Sequence, residues 1–258
     1  MNGVGPLTIK LGGAAGAHPS SLDVIAAHSD PTTVVVHGGG HELASWQRRL
    51  GIKPRVHHGL RVTDPATLEV AVAVLGGLVN ARLVAAFNTA GRRAVGLTGA
   101  DAGLLHLERA HPALGEVGHA AGANTEVLDL LTAAGFLPVV CSIGADAAGA
   151  LVNVNADEAA GAIAAARGGR LLLCSDVEGV ARDGRTLREL SVLEAARLLD
   201  DGSATAGMVP KLNAAITAAS AGCQVWILDG RSREAVAAAL AGEAVGTHVT
   251  RTPVEASV

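Results

Sequence analysis

The sequence predicts an α/β protein: a three-layer αβα sandwich built on a central, mostly parallel open sheet. Three observations carry that prediction. Short apolar runs recur along the chain, and within the segments 137–142 and 170–175 the stretches 137–141 and 171–174 are apolar throughout, as strands buried on both faces are. Segments with helical periodicity and start signals stand between the runs, giving a β-α-β-α rhythm. Glycine clusters, Gly12-Gly13 and Gly38-Gly39-Gly40, follow the first two runs. In an open parallel sheet that is where strands end and ligands bind.

Taken in order, Leu7 to Leu11 is a strand that carries Lys10 and runs into Gly12-Gly13. Ser20 to His28 is a helix, capped by Ser20 or Ser21. Thr33 to His37 is the second strand, and His41 to Leu50 the next helix. Arg55 to Val62 reads as a hairpin or lid. Asp64 caps a long helix with Pro65 at its first position, and the helix runs to about Ala90 with a bend expected at Gly76-Gly77. Ala94 to Thr98 is a strand, and 104–122 reads as short strands and turns. Thr125 to Ala134 is a helix, Leu137 to Ser142 a central strand, and Asp146 to Val154 a turn with an extended return. The helix opened by Asn155 follows, with Glu158 at capping-box spacing. Arg170 to Ser175 is a buried strand. A second capping box, Ser191 and Glu194, starts a helix to Leu199, and another helix follows Pro210. Gln224 to Leu228, Arg233 to Leu240 and Thr247 to Thr250 read as strand, helix and strand. Gly168-Gly169 marks the expected boundary between two lobes, 1–167 and 168–258.

Composition sets bounds on function. The chain has 258 residues, 49% hydrophobic and 17% charged, enough for a full core. Aromatics make up 2% and tyrosine is absent, so Ala, Val and Leu must pack through close backbone contacts. A formal charge of −4 gives no overall basic surface for nucleic acid or an acidic membrane. Cys141, Cys174 and Cys223 form no framework and no metal pair; they read as small buried hydrophobes in a reducing compartment. No signal peptide is evident, and Asn80 and Arg82 interrupt the most apolar window, Val70 to Phe87. The expectation is a soluble cytoplasmic protein. Walker-type, dinucleotide-binding, zinc-protease and serine-hydrolase motifs are missing.

The chemistry centres on Asn153 to Glu158. Asn155 as N-cap places Asp157 in the first helical turn, where the helix dipole favours a carboxylate. Lys10 is a charge inside a buried strand, which needs a partner or a task. Lys211 stands near a helix start, where a cation is unfavourable unless an anion joins it. The expectation is that both lysines meet Asp157 and that the three handle a phosphoryl group. The glycine turns supply backbone N–H groups that can approach phosphates. Arg61 in the hairpin can clamp a carboxylate, and Asn153, which capping does not explain, is the better asparagine for touching a ligand. His37 reads as a hydrogen-bonded strand-end histidine.

Six segments in this order resemble the amino acid kinase family, and within it the branch acting on N-acetyl-L-glutamate. They are Ile9-Lys10-Leu11-Gly12-Gly13, Val36-His37-Gly38-Gly39-Gly40, Gly59-Leu60-Arg61-Val62-Thr63, Asn153-Val154-Asn155-Ala156-Asp157, Ser175-Asp176-Val177-Glu178-Gly179-Val180 and Gly207-Met208-Val209-Pro210-Lys211. The resemblance implies the amino acid kinase fold and ATP-dependent phosphorylation of the side-chain carboxylate of N-acetyl-L-glutamate, early in arginine biosynthesis. It implies that Lys10 and Lys211 stabilise the transferring phosphoryl group, that Asp157 orients them, and that Gly12, Gly13 and Gly39 offer backbone donors to phosphate. Gly39, Gly40, Arg61 and Asn153 would border the acylamino acid in the N-terminal lobe. Asp176, Val177, Glu178, Gly179, Val180, Ala181, Ser203, Ala204 and Thr205 would line the ATP site of the C-terminal lobe. Mg²⁺ would arrive as MgATP, with no protein metal site. Arginine-inhibited relatives carry an extra N-terminal helix that builds a hexamer, so the expectation is an arginine-insensitive homodimer. The alternatives are a kinase for acetylated or carrier-linked aminoadipate in lysine biosynthesis, a non-catalytic nucleotide-sensing paralogue and, more distantly, a Rossmann-type oxidoreductase.

Overall fold

Strand β1 (Leu7–Leu11) sits at the middle of an eight-stranded sheet with the order β14-β16-β15-β11-β1-β2-β8-β5. The computed structural model describes residues 5–12, 19–57, 60–205 and 207–251. On one side of β1 lie β2 (Val34–His37), β8 (Leu137–Cys141) and β5 (Ala94–Thr98), all parallel. On the other lie β11 (Arg170–Ser175) and β15 (Gln224–Asp229), also parallel, then β16 (Thr247–Thr250), which reverses, and β14 (Glu189–Ser191) at the edge. β1, β2, β8 and β11 are buried along their whole length, as strands covered on both faces must be. β1 and β11 pair directly, so the sheet runs without a break across the expected boundary at Gly168.

The two faces of the sheet bury different sets. Val34, Val36, Leu171, Leu173, Val225 and Ile227 pack under α6 (Ala156–Arg167), α7 (Val192–Asp200) and α8 (Val209–Ser220). Leu7, Ile9, Leu11, Val35, Leu172 and Leu228 pack under α1 (Pro19–His28), α4 (Asn80–Thr89) and α9 (Arg233–Ala241). This is the expected three-layer sandwich. The chain leaves β1 into α1 on one face and leaves β11 towards α7 and α8 on the other. The crevice outside the carboxyl ends of β1 and β11 is therefore the topological switch point of the sheet.

A second sheet, β6-β7-β10-β9, lies against α6. It comprises β6 (Leu105–Arg109), β7 (Val117–Ala123), β10 (Leu151–Val154) and β9 (Ile143–Ala145). β3 (Arg55–His57) and β4 (Leu60–Val62) form the expected hairpin, pairing antiparallel. β12 (Ala181–Arg182) and β13 (Arg185–Thr186) make a further small ribbon. α2 (Gly40–Arg49) and α5 (Glu126–Ala133) are two further helices.

The long helix starts as expected, with Asp64 accepting from the Thr67 N–H at 2.8 Å and Pro65 at its first position. The bend expected at Gly76-Gly77 takes another form. α3 (Pro65–Ala71) passes into a π-helical stretch, Val72–Val79, which passes into α4. Nor do Asn80 and Arg82 interrupt it: Pro65–Thr89 is one helix of 25 residues, long and apolar enough in composition to cross a bilayer. Its place in the fold is against the sheet, with Leu83 and Phe87 in the core and the Asn80 amide donating to the Val139 carbonyl at 2.9 Å. π-helical turns are rare and occur mostly inside α-helices, frequently at functional sites. This one packs against the glycine turn after β2: a Cβ on Gly39 would lie 2.6 Å from Leu75.

Two expected caps are corrected. α1 begins at Pro19, so Ser20 and Ser21 lie inside it, and the Ser21 hydroxyl donates to the Gly230 carbonyl. At α6 only half of a capping box forms. Asn155 accepts from the Asp157 and Glu158 N–H groups, but the Glu158 carboxylate turns to the Ala120 N–H at 2.9 Å and His119 at 3.1 Å. Glu158 thus ties α6 to β7. The Ser191–Glu194 box on α7 is complete.

Candidate active site

Lys10, Asp157 and Lys211 converge. The Lys10 ammonium lies 2.8 Å from Asp157 Oδ1, and the Lys211 ammonium 3.6 Å from Asp157 Oδ2. Lys10 and Asp157 are each only 5% exposed. The Lys10 contact has ion-pair distance without hydrogen-bond directionality, leaving Asp157 Oδ1 a buried acceptor with no aligned donor among the described residues. Lys211 also donates to the Gly207 carbonyl at 3.2 Å, which folds its side chain back over the start of α8. Two ammonium groups against one carboxylate leave an excess of one positive charge. The starts of α6 and α8 add the positive ends of two helix dipoles. Such a locus draws an anion.

Each side chain is placed by its element. Lys10 shares a face of the sheet with its register partners Val36 and Leu173, the face covered by α6. Asn155 sets the first turn of α6 and so the direction of Asp157. Lys211 is brought in by the close approach of α8 to α6. A Cβ on Gly161 would stand 3.0 Å from both Cα and O of Ala214, so the helices nearly touch there. Gly161 is one turn beyond Asp157 and Ala214 about one turn beyond Lys211. In the sequence Gly161 gives no signal beyond being a glycine within an alanine-rich helix, four residues after the acid.

Gly12 is corrected in its expected role as an amide donor. Its N–H donates to the Cys174 carbonyl at 3.0 Å, extending the β1–β11 ladder by one residue. What it supplies is room, since a Cβ there would collide with the Lys10 ammonium. Gly13 lies outside the described residues. Gly38 and Gly39 form the turn after β2, with Gly38 against Ala156 and Gly39 against the π-helical stretch, and Gly40 opens α2. A cavity of about 540 Å³ borders this turn, but Leu11, Leu22 and Leu83 line it, so it lies across the sheet from Lys10 and Asp157. His37 is on that far face. It accepts at Nε2 from Asn80 at 3.0 Å and donates from Nδ1 to the Gly38 carbonyl at 2.7 Å, a neutral structural histidine. Burial lowers its pKa below the usual imidazole value.

Asn153 lies on β10, and its amide donates to Thr63 Oγ1 at 3.1 Å, immediately after β4. Arg61 sits on β4 opposite Val56; its side chain is outside the described residues. Among 176–181, Asp176, Val177, Glu178 and Ala181 are exposed beyond the end of β11. Gly179 and Val180 instead turn inward. Val180 is 2% exposed and its N–H donates to Thr247 Oγ1 at 2.8 Å, so packing under β16 occupies both. Ser203 and Thr205 are exposed before α8, with the Ser203 N–H held by Asp201 and the Thr205 carbonyl accepting from Met208 and Val209. Ala204 is half-buried against the core.

The sequence profile of the amino acid kinase family matches residues 7–229. An acetylglutamate kinase from Solibacter usitatus is 43% identical over 93% of this chain and 97% of its own length. One from Methanopyrus kandleri is 46% identical over 76% of this chain and 85% of its own. Among solved structures, smu.665 from Streptococcus mutans superposes with a TM-score of 0.80 at 25% identity, covering 95% of this chain and 98% of that one.

Proposed function

The chain belongs to the amino acid kinase family, and on that premise we propose that it phosphorylates the side-chain carboxylate of N-acetyl-L-glutamate with ATP, forming an acyl phosphate in arginine biosynthesis. The observation that carries this reading is the meeting of Lys10 and Lys211 on Asp157, with its excess positive charge at the starts of two helices. A polyphosphate and a carboxylate brought together repel each other, and this arrangement offsets that repulsion.

The nucleophile is already a carboxylate, so no general base is needed. Its oxygen attacks the γ-phosphorus, the bond to the bridging oxygen breaks, and ADP leaves with that electron pair. The work left to the protein is alignment and charge neutralisation. Lys10 and Lys211 neutralise the transferring group, and Asp157 holds both ammonium groups in place. Gly12 keeps the space beside Lys10 clear, and Gly39 and Gly40 offer the start of α2. Asn153 and Arg61 hold the acylamino acid, which assigns substrate to 1–167. Asp176, Val177, Glu178, Ala181, Ser203 and Thr205 border the nucleotide, which assigns ATP to 168–258. Mg²⁺ comes with the nucleotide as MgATP, held by phosphates and water, and shields their charge. The same reading makes the protein a soluble cytoplasmic enzyme acting on a small molecule, and a homodimer. The long helix supports the dimer by exposing the small residues Ala73, Gly77 and Ala81 at intervals of four; sedimentation at micromolar concentration tests it.

The deciding experiment traps acyl phosphate as a hydroxamate from N-acetyl-L-glutamate and MgATP, with N-acetyl-L-aminoadipate in a parallel arm. Glutamate should be the better substrate. Lys10→Ala and Asp157→Asn should each lower kcat by about a hundredfold or more, the usual scale for removing a charge stabiliser. Full activity in both variants refutes the assigned roles, and preference for the longer acid refutes the substrate.

A further inference from the structure

We infer that Thr63 is a positioning residue for the acylamino acid, acting through the side-chain amide of Asn153; this rests on the functional reading above. Thr63 is 1% exposed and fixed from three sides. Its N–H donates to the Leu114 carbonyl at 2.9 Å, and its own carbonyl accepts from the Glu116 N–H at 2.7 Å. Gly115 lies so close to that carbonyl that any Cβ would overlap it, and its φ of +72° is one that glycine adopts without strain. The hydroxyl of Thr63 is therefore a fixed point, and it accepts from Asn153 Nδ2 at 3.1 Å.

That one bond anchors the plane of the Asn153 amide. The Thr63 hydroxyl can serve an asparagine amide as acceptor or as donor; here it accepts from Nδ2. In this arrangement the carbonyl oxygen and the second N–H are left for a ligand. The remaining pair suits a ligand offering one acceptor and one donor, such as a carboxylate beside a secondary amide. The Asn153 backbone is held by the same loop, since its N–H donates to the Glu116 carbonyl at 2.9 Å. Arg109 clamps that loop by pairing with the Glu116 carboxylate and, at 2.7 Å, with Asp146. The end of the β3–β4 hairpin and the ligand-facing amide of β10 thus form one rigid unit, with Thr63 as the joint.

The test is a double-mutant cycle on the full-length enzyme with Thr63→Val, Thr63→Ser and Asn153→Ala. Thr63→Val keeps the shape and removes the acceptor. It should raise KM for N-acetyl-L-glutamate by roughly tenfold, the scale of one lost hydrogen bond, leaving KM for MgATP and the circular dichroism spectrum unchanged. Thr63→Ser should restore the wild-type KM to within about twofold, and Thr63→Val should add nothing in the Asn153→Ala background. Additive effects, an unchanged KM in Thr63→Val, or an equal rise in both KM values overturns the inference. Wild-type turnover in the same assay separates the two readings. An active wild type with an indifferent Thr63→Val removes only this inference, whereas an inactive wild type removes the functional reading and this inference together.

Discussion

Replacing Gly161 with valine should disable the site without touching it. The ideal Cβ at Gly161 stands 3.0 Å from the Ala214 backbone, closer than an ordinary van der Waals contact. An alanine asks for a shift of a few tenths of an ångström. A valine places two further methyls towards α8, and the helices must part by about 1 Å to admit them, at a cost of about 1–3 kcal/mol for overpacking. Asp157 and Lys211 lie one turn away on the same two helices and must part as well. At an effective permittivity near 20, opening their 3.6 Å contact by about 1 Å weakens the attraction by about 1 kcal/mol. The larger consequence is kinetic, because a displacement of this size at a reacting centre costs about a hundredfold in rate. The assay is kcat for hydroxamate formation alongside thermal unfolding. Gly161→Val should lose about a hundredfold in kcat and remain folded, and Gly161→Ala should lose only severalfold. If the valine variant melts earlier but keeps kcat within about twofold of wild type, the Gly161–Ala214 contact does not position Lys211.

Two further outcomes follow from buried groups. Burial lowers the pKa of His37 below its ordinary value near 6.5, and that of His248 likewise. The unfolded chain then binds protons that the folded chain refuses, so stability is full above about pH 6.5 and declines as pH falls below it. Thermal midpoints should drop between about pH 7 and pH 5.5, and a flat profile there contradicts a buried neutral His37. The depressed carboxyls, Asp64, Asp146, Glu194 and Asp201, add acid sensitivity only at lower pH. Burial pushes the Cys141 thiol up to about 11 and Cys174 up to about 12, and raises Cys223 as well. A disulfide reagent at about pH 8 should find no fast thiol in the native protein and three in denaturant; rapid native labelling would place a cysteine at the surface.

The parts of the fold that were legible share one cause: local signals with a single physical solution. Asn155, Asp64 and Ser191 each cap the helix they were expected to cap, because a side-chain acceptor before an apolar periodic run has few other uses. The second sheet was legible only as short strands and turns. β7, Val-Gly-His-Ala-Ala-Gly-Ala, has little intrinsic strand preference; it is a strand because β6 and β10 pair with it and Glu158 grips Ala120 and His119. The antiparallel turn of β16 leaves no trace in four residues of sequence. Thr63, the partner of Asn153, lies 90 residues away, and no spacing rule reaches that far.

The glycines show the same limit from the other side. Their positions after β1 and β2 marked the site, yet their tasks could not be told apart. Gly12 was expected to give an amide and instead gives space, because the β1–β11 register uses its N–H. Whether a glycine offers a donor or a gap depends on which strand lies beside it, which is a tertiary fact. Lys10 is the opposite case. A lone ammonium in a strand otherwise filled with Leu, Ile and Thr creates a demand that the fold must meet, since an unpaired buried charge costs several kcal/mol. A carboxylate near the C-terminal end of β1 meets it. Among the chain's acids, one in the first turn of an apolar helix that follows a strand end is placed to do so. Asn155 as N-cap marks Asp157 as that acid, and Lys10 and Asp157 lie 2.8 Å apart at 5% exposure each. Charge that must be answered constrains a fold over 147 residues of chain (157 − 10 in this numbering), where spacing and periodicity lose their reach within a few turns.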